Sequence, residues 1–190
     1  MGDPTGIGPQ VIATTWANPA LHAACRPAVI GDPAVMQRAV DLVGGGLVVE
    51  EVGAADPFEP SAPNRLPCIS TASAGGATAL PGQLAYEAVF DAARLALAGG
   101  CEGLVTAPLS KANLHAAGHD YPGHTELLAE LCGVRDFAMM LYLPAGERSP
   151  GEGSPIRSPH GLGVVHTTLH TSLRSVFDLL TSDAVMEKCR

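Results

Sequence analysis

Short apolar runs alternating with helix-patterned segments, with Gly, Pro or Asp at many of the junctions, constrain this chain more than any other feature of its sequence. A run of four to eight apolar residues has the length of a buried strand, whereas apolar residues at i, i+3, i+4 and i+7 mark one face of a helix. Their alternation predicts an α/β chain with a largely parallel sheet. Strands are expected at residues 27–30, 47–52, 103–106, 137–143 and 162–167, and helices at 34–43, 83–98, 111–117, 126–132 and 173–180. In the last helix Leu173, Val176, Phe177 and Leu180 share a face behind a Ser172 cap, which predicts a buried stripe. Residues 54–67, rich in Pro, and 144–161, a Pro/Gly/Ser/Arg segment, read as exposed loops.

With 190 residues, 46% of them apolar, the chain can bury one sizeable core, or one lobe and part of another. A formal charge of -8 argues against a general nucleic-acid or anionic-membrane surface, so an anionic ligand must be held by a few local groups. The five cysteines are odd in number, widely spaced and free of any CxxC pair, which points to neither a disulfide framework nor a cysteine zinc site. No apolar run reaches membrane-spanning length, and the opening residues lack the basic and apolar regions of a signal peptide. A reduced, cytoplasmic setting is expected.

Gly-Asp-Pro occurs twice, at residues 2–4 and 31–33. The second copy leads into an amphipathic helix with Asp32 as N-cap and Pro33 at the first position, so the tripeptide alone is a turn-and-cap device. The first copy continues as TGIGPQ, where Gly6 and Gly8 let the backbone approach a ligand or a neighbouring strand and Pro9 can open a helix. Structural and ligand-binding readings carry equal weight there, and the spacing matches neither GxGxxG nor GxxxxGK[ST].

Residues 105–130 hold three of the seven histidines and one of the two lysines. GLVTAP is expected to end a strand, and ligands of open α/β sheets gather beyond the carboxyl ends of strands. Lys111 lies just past that edge, although a solvated helix residue is the commoner role for a lysine. His124 and Thr125 precede ELLAELCG, so Thr125 is a natural N-cap and the free amides of that helix favour an anion such as phosphate. His115 and His119 stand i, i+4, but Ala116 removes HExxH and Gly118 ends the helix first; the pair reads as polar residues at a helix end. His166 is expected inside the last strand, and His170 in the loop beyond it, where a lone histidine is more often not a metal ligand.

Taken in order, MGDPTGIGPQ, VTAPLSK, HDYPGHTELLAE and HTSLRSVFDLLT resemble the 4-hydroxythreonine-4-phosphate dehydrogenase family of vitamin B6 (pyridoxine) biosynthesis, across nearly the whole chain. The resemblance implies a layered α/β fold like that of isocitrate and isopropylmalate dehydrogenases, incomplete in this chain. Residues 1–125 are then an N-terminal lobe without its first strand, and residues 126–190 the beginning of a second, C-terminally truncated lobe. It implies a homodimer and NAD- or NADP-dependent oxidation of 4-phosphooxy-L-threonine to a 3-oxo acid, which decarboxylates to 3-amino-2-oxopropyl phosphate. It also implies a divalent metal (zinc, magnesium, cobalt or manganese), which lowers the pKa of the substrate hydroxyl and stabilises the alkoxide as hydride leaves. By position, His124 and Thr125 match the substrate-binding pair of the family, and His170 matches the first of three metal-binding histidines. Lys111 matches the lysine of the TAP-x-x-K block, as electrostatic support for substrate. Gln10 stands where the family usually has Glu, and the loop at 144–161 is longer than usual. The other two metal histidines fall in a later part of the family pattern, so the chain itself is expected to be inactive. Paralogues oxidising D-threonate or D-erythronate 4-phosphate share these blocks, and a non-catalytic phosphate-binding lobe is the alternative from another class.

Overall fold

The computed structural model describes residues 1–53, 61–76, 78–146 and 158–189. Its contacts divide the chain into two compact units, Met1–Gly133 and Val134–Arg190. In the first, α1 (Gly8–Trp16) opens on Pro9, and α2 (Pro19–Ala24) is capped by Asn18, whose side chain accepts from the Ala20 amide at 3.0 Å. Next come β1 (Val29–Gly31), α3 (Pro33–Val43), β2 (Val48–Val52) and β3 (Arg65–Ser70). The three strands form one parallel sheet in the order β1-β3-β2, with Val29 beside Cys68 and Val48 beside Arg65. Asp32 caps α3 as the sequence predicts, accepting from the Ala34 and Val35 amides at 2.8 and 3.3 Å.

Two expectations fail within this sheet. Residues 103–106 form no strand: Val105 is 97% exposed, and the stretch pairs with no strand among the described residues. Conversely, β3 begins inside a segment read as a loop, and it is the central strand despite Pro67. A proline cannot donate to a ladder and ordinarily argues against a central strand. Because β1 pairs only with Cys68, Ile69 and Ser70, Pro67 has a single strand neighbour, β2, and behaves as an edge position. Residues 54–60 of the expected loop lie outside the described residues, as do 147–157 of the later one.

The apolar core forms where α1 and α3 meet the sheet. Met36, Leu66 and Cys68 are fully enclosed, and Trp16 is buried with its indole N–H donating to the Arg65 carbonyl at 2.7 Å. Helix α4 (Pro81–Leu97) packs on β1 and buries Leu84, Ala85, Ala88 and Val89. It also carries α5 (Lys111–Ala116) and α6 (His124–Leu131), whose Leu114 and Leu127 are fully buried. This packing keeps α6 in the first unit, so the contact boundary follows Gly133, whereas the lobes expected from the sequence divide after Thr125.

The second unit contains an antiparallel pair, β4 (Met140–Leu143) and β5 (Leu162–Val165), followed by α7 (Leu173–Leu179) and α8 (Ser182–Lys188). Ser172 caps α7 as expected, accepting from the Ser175 amide at 3.2 Å. The stripe behind it is not buried, however: Leu173 and Phe177 are 80% and 81% exposed. Helical periodicity specifies that an apolar face exists, not that this chain supplies its cover. Among the described residues, no helix is long and apolar enough to cross a membrane.

Candidate functional site

The opening loop and the segment before α5 are neighbours in space. The Met1 ammonium donates to the Ile30 carbonyl at 2.9 Å, beside β1, and the Asp3 amide donates to the Pro108 carbonyl at 2.9 Å. Gly2 is the residue that permits this approach: its φ is +75°, and a Cβ there would lie 2.4 Å from the Pro108 oxygen. The Asp3 carboxylate, 3% exposed, is held by three donors. Its Oδ1 accepts from the Thr5 amide at 2.8 Å and the Thr5 hydroxyl at 2.7 Å, and its Oδ2 accepts from the Asn113 carboxamide at 2.7 Å. A buried carboxylate needs such partners, because an unpaired one costs several kcal/mol (about 3–5). The D-x-T spacing carries the local half of this network, an Asx-type signal that the sequence reading passed over; Asn113, 110 residues away, has no local signal at all.

His124 and Thr125 are the first two residues of α6. The cap is Gly123, in extended backbone with φ 178°, and not Thr125, whose own amide is among the donors that the first turn leaves without a helical acceptor. The His124 ring is held below the ordinary imidazole range by burial and by the nearby Met1 ammonium, while the Ala107 carbonyl pulls the other way. The ring is therefore neutral near pH 7. Its buried Nε2 has no hydrogen-bond partner among the described residues, a state that native proteins rarely tolerate without a purpose. Burial also lowers the Met1 amine, from 8.0 to about 6.

A second polar network flanks this region. Glu87 of α4 accepts from the Ser73 amide at 2.9 Å, the Ser73 hydroxyl at 2.6 Å and the Gln83 carboxamide at 2.8 Å. Burial works to raise its carboxyl, but the bonds from Gln83 and Ser73 outweigh it and hold the group below the usual range. Gln83 also meets His119 Nε2 at 2.8 Å, and the His119 ring stacks on Tyr86 with centroids 3.7 Å apart. His115 instead faces the Tyr121 carbonyl at 3.2 Å. The two histidines thus take separate partners, as the broken helix between them requires.

Lys111, at the first position of α5, is exposed. His170 lies in the second unit, exposed, in the loop after β5, with a left-handed φ of 50° that is uncommon for a residue bearing a Cβ. His166 extends the β5 ladder by one rung, its amide donating to the Met139 carbonyl at 3.0 Å. Among the described residues, no three His, Cys, Asp or Glu side chains converge to hold a metal ion. His170 offers one donor, which does not make a binding set.

A three-stranded parallel sheet packed by helices makes the first unit an α/β protein, with its glycine-bearing opening loop set against Ala107 and Pro108. Residues 23–190 match the family model described as "Pyridoxal phosphate biosynthetic protein PdxA", and the chain belongs to that family. It is 40% identical over 197 residues to the 4-hydroxythreonine-4-phosphate dehydrogenase of Geobacter metallireducens, covering 100% of this chain and 53% of that protein. It is 37% identical over 192 residues to the D-threonate 4-phosphate dehydrogenase of Pectobacterium atrosepticum, covering 97% and 54%. The fold resembles that of a putative 4-hydroxythreonine-4-phosphate dehydrogenase from Salmonella typhimurium, with a TM-score of 0.78 at 34% identity over 100% of this chain and 55% of the other. The chain therefore spans about half the length of the relatives it matches.

Proposed function

We propose that this chain is the phosphate-binding part of a nicotinamide-dependent dehydrogenase acting on a small phosphorylated hydroxy acid, with 4-phosphooxy-L-threonine as substrate and NAD or NADP as hydride acceptor. The observation that carries the reading is the start of α6: free amides at His124 and Thr125, and a buried Nε2 that lacks a partner. The amides carry the positive end of the helix dipole, which favours a phosphate, and a ligand oxygen supplies the bond that Nε2 lacks. A neutral His124 offers a hydrogen bond rather than a second charge, which suits a site that must release its product. Lys111 adds a positive charge at the neighbouring helix start. In this proposal the homodimer, the cytoplasmic setting and the metal belong to the complete assembly; His170 gives one ligand, and the chain alone is inactive.

A second substrate, D-threonate 4-phosphate, is favoured by the relatives bearing that name, whose identity to this chain is nearly the same. Both have a phosphate at one end of a four-carbon acid and separate only by competition. The test is to titrate the purified chain with inorganic phosphate, then with each substrate, following the His124 ring protons by NMR, and to assay NAD and NADP reduction with magnesium or zinc. Saturable shifts at His124 without turnover are expected. No response at His124 would remove the phosphate site, and metal-dependent turnover would remove the claim of inactivity.

A further inference from the structure

We infer that Asn113 is a positioning residue for this site: by holding the Asp3 carboxylate it fixes the opening loop against Ala107 and Pro108, and so sets the surroundings of His124. The inference rests on the proposed phosphate-binding reading of α6 and adds a residue to it. Among the described residues, Asp3 Oδ2 takes only the Asn113 carboxamide, whereas Oδ1 is satisfied within the loop by Thr5. Asn113 therefore makes the side-chain link that ties the loop to α5. The link is stiff at both ends. On the helix side, the Asn113 amide donates to the Ser110 hydroxyl at 3.3 Å, and its carbonyl abuts Gly82, where a Cβ would come within 1.9 Å. On the loop side, Asp3 is buried and its own amide is bonded to Pro108. The two groups that act on the His124 ring, the Ala107 carbonyl and the Met1 ammonium, sit immediately beside these anchors. A carboxamide that moves the loop moves both of them.

The pair is tested by exchanging its ends. Asn113→Asp sets two carboxylates where a 2.7 Å bond stood, and the double variant Asp3→Asn/Asn113→Asp restores an amide facing a carboxylate with the roles reversed. Asn113→Ala removes the link without adding charge. Measured quantities are the dissociation constant for inorganic phosphate, the His124 ring shifts and the melting temperature. Asn113→Asp and Asn113→Ala are expected to weaken phosphate binding on the order of tenfold, with displaced His124 shifts, and the double variant to recover both. Recovery of melting temperature without recovery of phosphate affinity overturns the inference. So do single variants that lose stability yet bind phosphate as the parent does. Should the parent chain show no phosphate binding, the functional reading fails, and the inference is still decided by the His124 shifts of the unliganded variants, which must move and then return. If Asn113→Asp does not fold, Asn113→Ala and the double variant decide it alone.

Discussion

Gly82 occupies the second position of α4, where α5 crosses it, and Gly82→Ala isolates the cost of that crossing. A Cβ there would lie 1.9 Å from the Asn113 carbonyl oxygen, 2.4 Å from its carbonyl carbon and 2.8 Å from the Leu114 nitrogen, all backbone atoms that cannot swing aside. Real Cβ atoms stay beyond 3.0 Å, so α5 must retreat by about 1.1 Å. Alanine gains at most about 1 kcal/mol of helix propensity at this position. Against that stand about 1–3 kcal/mol for overpacking and about 1 kcal/mol of lost contact at Leu114, which is wholly enclosed and forfeits a quarter to a half of its dispersion over such a gap. The net expectation is a loss of about 2 kcal/mol, or roughly 8 °C in melting temperature for a unit of this size. Thermal and urea denaturation followed by circular dichroism measure it. Gly103→Ala is the matched control, since nothing lies within 4 Å of a Cβ there, and it should stay within about 0.5 kcal/mol of the parent. A Gly82→Ala chain that melts at or above the parent temperature would show that α4 and α5 do not rely on this contact.

Two further outcomes follow from buried groups. The Met1 amine has its pKa lowered from 8.0 to about 6, so between those values the unfolded chain holds more protons and stability rises with pH. The contribution is complete above pH 8 and gone below pH 6, with a size of about 3 kcal/mol; His124, also lowered, acts in the same direction below its ordinary 6.5. Urea midpoints that are flat or inverted between about pH 5.5 and about pH 8.5 would contradict this. Burial likewise pushes the Cys68 thiol up to about 12, whereas Cys25, Cys132 and Cys189 are exposed. A thiol reagent such as Ellman's should titrate the exposed three in the native chain and reach Cys68 only on unfolding; prompt native reaction at Cys68 would place it outside the core.

Helices were the most legible part of the sequence, since the amphipathic ones carry their own period, and Asp32 and Ser172 cap α3 and α7 as their positions foretold; Ser110 caps α5 as well, a role the sequence reading did not single out. Strands were less so. Pro67 hid β3, because a rule about central strands cannot be applied before the neighbours are known, and the apolar run at 103–106 looks like a strand but has no partner among the described residues. At the candidate site, the local signals at His124 and Thr125 sufficed to place them at the start of α6, yet the cap moved two residues outward to Gly123. What the sequence could not display were the long-range pairings, Asp3 with Asn113 and Ser73 with Glu87, since neither partner has any local pattern that announces the other. Exposure of the α7 stripe was illegible for the same reason.

The stretch at residues 103–106, which pairs with no strand among the described residues, has a bearing on how the protein behaves in a tube. It forms no strand and leaves Val105 almost fully exposed, an apolar surface on which another copy can settle. Opposing this is the formal charge of -8, which keeps copies apart as long as their fields reach one another. That reach is about 30 Å at 0.01 M salt and about 10 Å at 0.1 M. Ionic strength thus becomes the control on colloidal life: dilute buffer favours a dispersed chain, and added salt, by shortening the repulsion without weakening apolar contact, favours association.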